Sequence, residues 1–94
     1  MQVDRALADL VPGFLENRWK DIKAMQEALA TGDCQTVQRL AHQMKGAGGG
    51  YGFDAISRIG SVLEHAAKES NIGAIRRWIL ELTKYLAHVE VSYA

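Results

Sequence analysis

The 94-residue chain is long enough for one small domain with one hydrophobic core, and its 48% of hydrophobic residues is typical of a globular protein. Lys plus Arg and Asp plus Glu both number 11, so the formal charge is zero and the basic excess of a nucleic-acid-binding protein is missing. No apolar run reaches the roughly 18 residues of a membrane span, and no signal-peptide pattern opens the chain. The one cysteine cannot form an internal disulfide. We therefore expect a cytoplasmic protein.

The spacing of apolar residues predicts helices along the chain. Val3, Leu7 and Leu10 indicate a short first helix. Pro12-Gly13 is expected to break the chain after it, because proline lacks a backbone donor and restricts the residue before it.

A longer amphipathic helix is predicted from Phe14 to Leu29. Its apolar residues are Phe14, Leu15, Trp19, Ile22, Met25 and Leu29. Thr31-Gly32 is expected to end this helix, and Asp33 is a suitable N-cap for the next one, which contains His42.

Two more helices are predicted after the stretch around His42. The apolar face of the first consists of Phe53, Ile56, Gly60, Leu63 and Ala67. After the short Ser70-Asn71 connection, the apolar residues of the last helix are Ile72, Ile75, Trp78, Ile79, Leu82, Leu86 and Val89. Four amphipathic helices joined by tight turns predict an all-α fold, an antiparallel up-down four-helix bundle with a short extra N-terminal helix.

The stretch from Ala41 to Phe53 combines a histidine with a run of glycines. If it is helical, with about 100° per residue, one buried stripe contains Val37, Leu40, Ala41, Met44, Gly48 and Tyr51. His42 lies roughly 150° from the centre of that stripe and therefore faces solvent. Its surface neighbours are Gln38, Arg39, Lys45, Gly46 and Gly49. The pattern predicts an accessible imidazole with a cation beside it and little side-chain bulk around it.

Gly46 and the glycines at 48–50 leave two interpretations open. A glycine inside a helix costs roughly 1 kcal/mol relative to alanine, so four of them would cost about 4 kcal/mol. The helix either ends near Lys45 and the glycines form a loop, or it continues because the buried stripe runs through them. In the second case Gly48 lets another helix approach closely, while Gly46 and Gly49 leave room for a partner to reach the imidazole.

Several of these residues together form a family pattern. They are His42, Lys45 and Gly46 in a His-x-x-Lys-Gly block, the Tyr51-Gly52 pair, and the Leu63-Glu64 pair of the next helix. Within a four-helix frame, this pattern resembles the histidine-containing phosphotransfer (HPt) domain. The resemblance covers about residues 14–89, and we interpret 1–94 as a single HPt-like domain with its bundle core at about 14–90.

The resemblance implies a phosphorelay intermediate of two-component signalling. In that family the histidine, here His42, accepts a phosphoryl group from a receiver-domain aspartate and passes it to another receiver. It implies that Lys45 stabilises the phosphate charge, that Gly46 gives steric access, and that Glu64 and Lys68 are polar residues near the histidine. The implied partners are response-regulator receiver domains and a hybrid sensor histidine kinase.

The surface neighbours of His42 give an expected partner-binding surface of Gln38, Arg39, Lys45 and Gly49, and Gly49 also counts as a secondary site residue. We expect no nucleic-acid or membrane partner, and a monomer.

The residues themselves support this chemistry. Neutral imidazole is nucleophilic near pH 7, and phosphoryl transfer mainly requires positioning and charge stabilisation. The sequence has no phosphate-cradling loop for ATP, no acidic metal cluster and no evident relay base. We therefore expect a phosphocarrier without autonomous kinase activity, with no cofactor or metal of its own, and with Mg²⁺ on the partner receiver. The alternative is a helical adaptor that binds a receiver or kinase domain without being phosphorylated.

The other polar residues of the helices also allow two interpretations. The row Ser57, Ser61, Glu64 and Lys68 either borders His42 across the helix hairpin or forms an ordinary solvated flank. Similarly, the three histidines are either solvated or part of a zinc or haem site. We favour solvation, because His42 faces outward.

Overall fold

The computed structural model describes residues 2–3, 5–89 and 92–93 of the chain. A 3-10 helix, Arg5–Leu10, leads into four α-helices, which are α1 (Val11–Ala30), α2 (Cys34–Tyr51), α3 (Asp54–Lys68) and α4 (Ile72–His88). Turns of two or three residues join the α-helices, so successive helices run antiparallel. The predicted all-α four-helix bundle with a short extra N-terminal helix is confirmed.

Two very short strands, β1 (Gln2–Val3) and β2 (Ser92–Tyr93), pair in parallel. Gln2 aligns with Ser92, and Val3 aligns with Tyr93. The spacing of Val3 indicated that it belongs to the first helix. In the structure it belongs to this strand pairing instead. A pairing of two residues leaves the fold class unchanged.

The start of α1 differs from the expectation that Pro12-Gly13 breaks the chain. The 3-10 helix runs directly into α1, which begins at Val11 and includes both residues. Proline is tolerated here because the first backbone N–H groups of a helix have no intrahelical acceptor in any case. Pro12 therefore marks a helix start and not an interruption.

The helix α2 runs through all four glycines, so the interpretation of a loop after Lys45 is wrong. A Cβ on Gly48 would lie 2.8 Å from the backbone nitrogen of Ser57 in α3. Reciprocally, a Cβ on Gly60 of α3 would lie 2.9 Å from the backbone nitrogen of Lys45. The two glycines thus allow α2 and α3 to pack backbone against backbone, which larger residues would prevent.

Side chains and one glycine satisfy the ends of α2 and α4. Asp33 caps α2, as predicted, by accepting a hydrogen bond from the backbone N–H of Thr36 at 3.0 Å. Gly52 ends α2 with a φ of +79°, a left-handed conformation that favours glycine. Asn71 caps α4 by accepting from the backbone N–H of Ala74 at 3.1 Å. These ends define the short turns of the bundle.

The core is one cluster of apolar side chains drawn from all four α-helices. Fully enclosed members include Met25, Val37, Met44, Phe53, Ile56, Leu63, Ile75 and Leu82.

On α1 the structure corrects the predicted apolar face at one position. Trp19 is 41% exposed, whereas its neighbour Arg18 is buried. The guanidinium of Arg18 lies over the ring of Phe14, 4.7 Å from its centroid, and its Nε pairs with Asp21 at 2.8 Å. The position one turn after Phe14 faces the core, and the long arginine stem fills it while Nε pairs with Asp21 and Nη1 is buried without a hydrogen-bond partner among the described residues.

Candidate functional site

The close packing of α2 against α3 determines which side chains meet at the surface. The hydroxyl of Ser57 donates to the backbone carbonyl of Lys45 at 3.0 Å. Gly60 also lies against the backbone of Lys45. The contacts of Ser57 and Gly60 with Lys45 together define one register between α2 and α3. One turn after Gly60, that register places Glu64 beside His42.

His42 and Glu64 form the central contact of the site. Nδ1 of His42 lies 2.7 Å from Oε2 of Glu64. A carboxylate only accepts hydrogen bonds, so a neutral imidazole makes this bond with its proton on Nδ1, which leaves the lone pair of Nε2 free. The His42 side chain is 71% exposed while that of Glu64 is 14% exposed. An accessible ring is therefore held by a largely buried carboxylate.

Lys45 lies on the other side of the same carboxylate. Its Nζ is 3.9 Å from Oε1 of Glu64, and its side chain is 47% exposed. Glu64 thus has a different neighbour on each oxygen, His42 on Oε2 and Lys45 on Oε1. The separation of 3.9 Å is too long for a hydrogen bond and the Lys45 side chain is half exposed, so the ammonium group can move toward another anion.

The surface around His42 is open on its C-terminal side. Gly46 and Gly49 are exposed, and a Cβ on either residue would meet nothing within 4 Å. Neither glycine is needed for helix packing, in contrast to Gly48. Their effect is to leave the surface near the imidazole without side chains.

A hollow of about 510 Å³ adjoins the ring. We call it the His42 hollow, and its lining consists of Gln35, Gln38, Arg39, His42, Gln43 and Glu64. Two of the residues expected to bind a partner, Gln38 and Arg39, therefore lie beside His42 as the sequence predicts. Gln35 and Gln43 were not among the expected residues. Gln35 lies seven residues before His42, which puts it on the same helix face, so this spacing was the missed signal.

The row of polar residues on α3 divides between its two interpretations. Glu64 borders His42, whereas Ser61 and Lys68 are exposed. Lys68 forms no ion pair with any residue that the structure describes. The interpretation of a solvated flank is therefore wrong for Glu64 and consistent with the exposure of Ser61 and Lys68.

The remaining histidines lie apart from the site. The Nε2 of His65 pairs with Glu69 at 3.0 Å, and Nδ1 of His88 hydrogen-bonds to the backbone carbonyl of Lys84 at 2.8 Å. Both side chains are exposed. Within the described residues, no three His, Cys, Asp or Glu side chains are grouped as a metal site would require.

Among the helices of the described residues, none combines the length and the apolar character that crossing a membrane requires.

The family model of the Hpt domain matches residues 9–91 of the chain, a segment that includes all four α-helices and His42. Comparisons with curated proteins and with solved structures found no match. Hpt domains take part in phosphotransfer in two-component signalling, where they interact with receiver domains and histidine kinases. The match confirms the resemblance seen in the His-x-x-Lys-Gly block, and the chain belongs to the Hpt domain family.

Proposed function

We propose that the chain is a phosphorelay intermediate in which Nε2 of His42 accepts a phosphoryl group from a receiver-domain aspartate and passes it to a second receiver. The observation that carries this proposal is the contact between Nδ1 of His42 and Glu64 at 2.7 Å on a ring that is largely exposed. With Nδ1 held by the carboxylate, the neutral form of the ring presents its Nε2 lone pair to a partner.

The proposed transfer step uses the free nitrogen of the ring. The Nε2 lone pair attacks the phosphorus of the aspartyl phosphate, an N–P bond forms, and the P–O bond to the aspartate breaks, so the aspartate leaves as a carboxylate. The proton stays on Nδ1, and the phosphorylated ring becomes positively charged. The Glu64 carboxylate offsets this charge through the hydrogen bond. Transfer to a second receiver is the same step in reverse.

Two further features support the proposal. Lys45 lies close enough to move from Glu64 toward the phosphoryl oxygens and partly neutralise them. The bare surface at Gly46 and Gly49 would admit the loops of a receiver domain to the ring.

The receiver supplies the rest of the chemistry in this proposal. Acidic residues of the receiver would hold Mg²⁺, which would supply charge neutralisation for the phosphoryl group, so His42 needs only to present its nitrogen. The partners are response-regulator receivers and a hybrid sensor histidine kinase, and the chain acts as a monomeric carrier without kinase activity of its own. We place this relay in the cytoplasm, where a free thiol such as that of Cys34 stays reduced.

The test mixes the domain with a receiver carrying ³²P on its aspartate. We expect label on the domain that is stable to base and labile to acid, as for phosphohistidine. The label should vanish in His42→Gln and persist in His65→Gln, which removes another exposed histidine. Label that survives His42→Gln contradicts the proposal, and no label with any cognate receiver would favour the non-phosphorylated adaptor.

A further inference from the structure

The cations around His42 are not equivalent. Lys45 lies beside Glu64, with Nζ 3.9 Å from Oε1. Arg39 lines the His42 hollow and lies three residues before His42. The lining of the hollow includes the Arg39 guanidinium as its one permanently charged cation, and Lys45 is not part of that lining.

The lining of the His42 hollow is suited to an oxyanion. Gln35, Gln38 and Gln43 each bring an amide with two N–H donors, and the guanidinium of Arg39 brings five. Glu64 is the one acidic residue of the lining, and its Oε2 is hydrogen-bonded to Nδ1 of His42. A hollow of about 510 Å³ has ample room for a phosphoryl group and for a residue of the partner that delivers it.

The guanidinium of Arg39 is available for such a ligand. The side chain is exposed, and within the described part of the chain it forms no ion pair. Its positive charge contributes to the lowering of the Asp33 pKa, behind the larger effect of the hydrogen bonds from Thr36. The planar fork of donors on the guanidinium matches two oxygens of a phosphate.

We propose that the His42 hollow is the phosphoryl-binding pocket and that Arg39, with the surrounding glutamine amides, binds the oxygens of the phosphoryl group on Nε2. This inference rests on the proposed function, since it assigns the place of the group that His42 would carry. Arg39 is then the principal phosphoryl-binding cation of the phosphorylated state. Lys45 is secondary to it.

The experiment uses chemical phosphorylation, so that no receiver is needed. The domain is treated with phosphoramidate, which phosphorylates exposed histidines, and the second pKa of the phosphoryl group is read from the ³¹P shift during a pH titration. His42→Gln identifies the signal of the His42 adduct. A bound guanidinium favours the dianion, so Arg39→Gln should raise that pKa by about half a unit.

The controls separate Arg39 from a general effect of charge. Arg39→Lys should restore most of the shift, while Arg58→Gln, which removes an exposed arginine of α3, should leave the titration unchanged. Lys45→Gln should shift the pKa less than Arg39→Gln does. An unchanged titration in Arg39→Gln, or a larger effect of Lys45→Gln, overturns the inference.

The two proposals fail in different ways. If receivers fail to phosphorylate His42 while Arg39→Gln still raises the ³¹P pKa, the relay is wrong and the phosphoryl pocket stands. If receivers phosphorylate His42 and Arg39→Gln leaves the pKa unchanged, the relay stands and the pocket is wrong.

Discussion

At the scale of single residues, the proposed chemistry depends on which nitrogen of one imidazole is free. The Glu64 carboxylate holds Nδ1 of His42 and leaves Nε2 open, although the ring itself is mostly in solvent. In this account Glu64 is a positioning residue, because it acts through His42 and not on the phosphoryl group.

Replacing Glu64 with alanine should therefore change the tautomer of His42 as well as the rate. We expect phosphoryl transfer to slow about tenfold, which corresponds to ~1.4 kcal/mol and to the loss of one charge-assisted hydrogen bond. The ¹⁵N shifts of the ring should show less of the Nδ1–H form, and Glu64→Gln should restore part of it. Ser61→Ala, on the same face of α3, is the control. An unchanged tautomer in Glu64→Ala would contradict the positioning role.

Lys45→Ala tests charge stabilisation at a site that does not hold the fold together. Because Lys45 is about half exposed, the free energy of unfolding should change by less than about 0.5 kcal/mol. Transfer should slow about two- to fivefold, as expected for an exposed charge. Lys23→Ala, which removes an exposed lysine of α1, should affect neither quantity. A large fall in melting temperature would show that Lys45 has a structural role instead.

The residue scale is also where sequence patterns reach their limit. The exposure of His42 follows from the period of one helix, and its family role follows from the His-x-x-Lys-Gly block. The contact with Glu64 depends on the register between two helices, and either interpretation of the polar row on α3 was compatible with the period. That register became evident only with the contacts of Gly48 and Gly60.

At the scale of the elements, the α2–α3 pair is the structural basis of the site. The glycine contacts bring the two backbones together, and this approach places Glu64 within reach of His42. The buried stripe through Met44, Gly48 and Tyr51 correctly favoured a continuous α2. Sequence periodicity failed on α1, where Arg18 and not Trp19 is buried, because it treats arginine as polar throughout although its stem packs like an apolar chain.

Replacing two glycines of the α2–α3 pair with alanine should change the free energy of unfolding in opposite directions. Gly60→Ala should lower the free energy of unfolding by about 1–3 kcal/mol, because the new Cβ would meet the Lys45 backbone. Gly50→Ala, on the open face of α2, should raise it by up to about 1 kcal/mol through better helix propensity. Urea unfolding of both variants measures the difference. Equal effects of the two substitutions would remove the packing account of Gly60.

At the scale of the whole molecule, one cap should leave a signature in the pH dependence of stability. Hydrogen bonds from Thr36 lower the pKa of Asp33 below its ordinary value of 3.8. The folded state therefore favours the carboxylate, so this stabilisation is present above pH 3.8 and is lost as the pH falls through the lowered pKa.

Asp33→Asn provides the comparison, because asparagine also caps a helix but does not titrate. We expect wild type to lose its advantage in melting temperature over Asp33→Asn as the pH is lowered from 6 toward 3. Burial raises the pKa of Asp21 more than Arg18 lowers it, so the contribution of Asp21 to stability changes with pH in the opposite direction. Both variants contain Asp21, so the comparison cancels its contribution. A constant difference between the two proteins across this range would contradict the prediction.

The bundle as a whole presents the site on one side. The Cα positions extend over 41 × 18 × 16 Å, and the α2–α3 pair displays His42 while α1 and α4 complete the core behind it. Fold class and family were accessible from the sequence, because both follow from helix periodicity and a spaced motif. The continuation of the 3-10 helix into α1 could not be predicted from the sequence, because Pro12 is compatible with a break as well as with a helix start.

The most direct measurement locates the phosphoryl group after transfer from a phosphorylated receiver. The domain is labelled with ¹⁵N in its histidine rings, and the coupling between ³¹P and ¹⁵N identifies the bonded nitrogen. The account predicts one adduct, on Nε2 of His42, with the proton retained on Nδ1 opposite Glu64. A phosphoryl group on Nδ1, or on any residue other than His42, would contradict it.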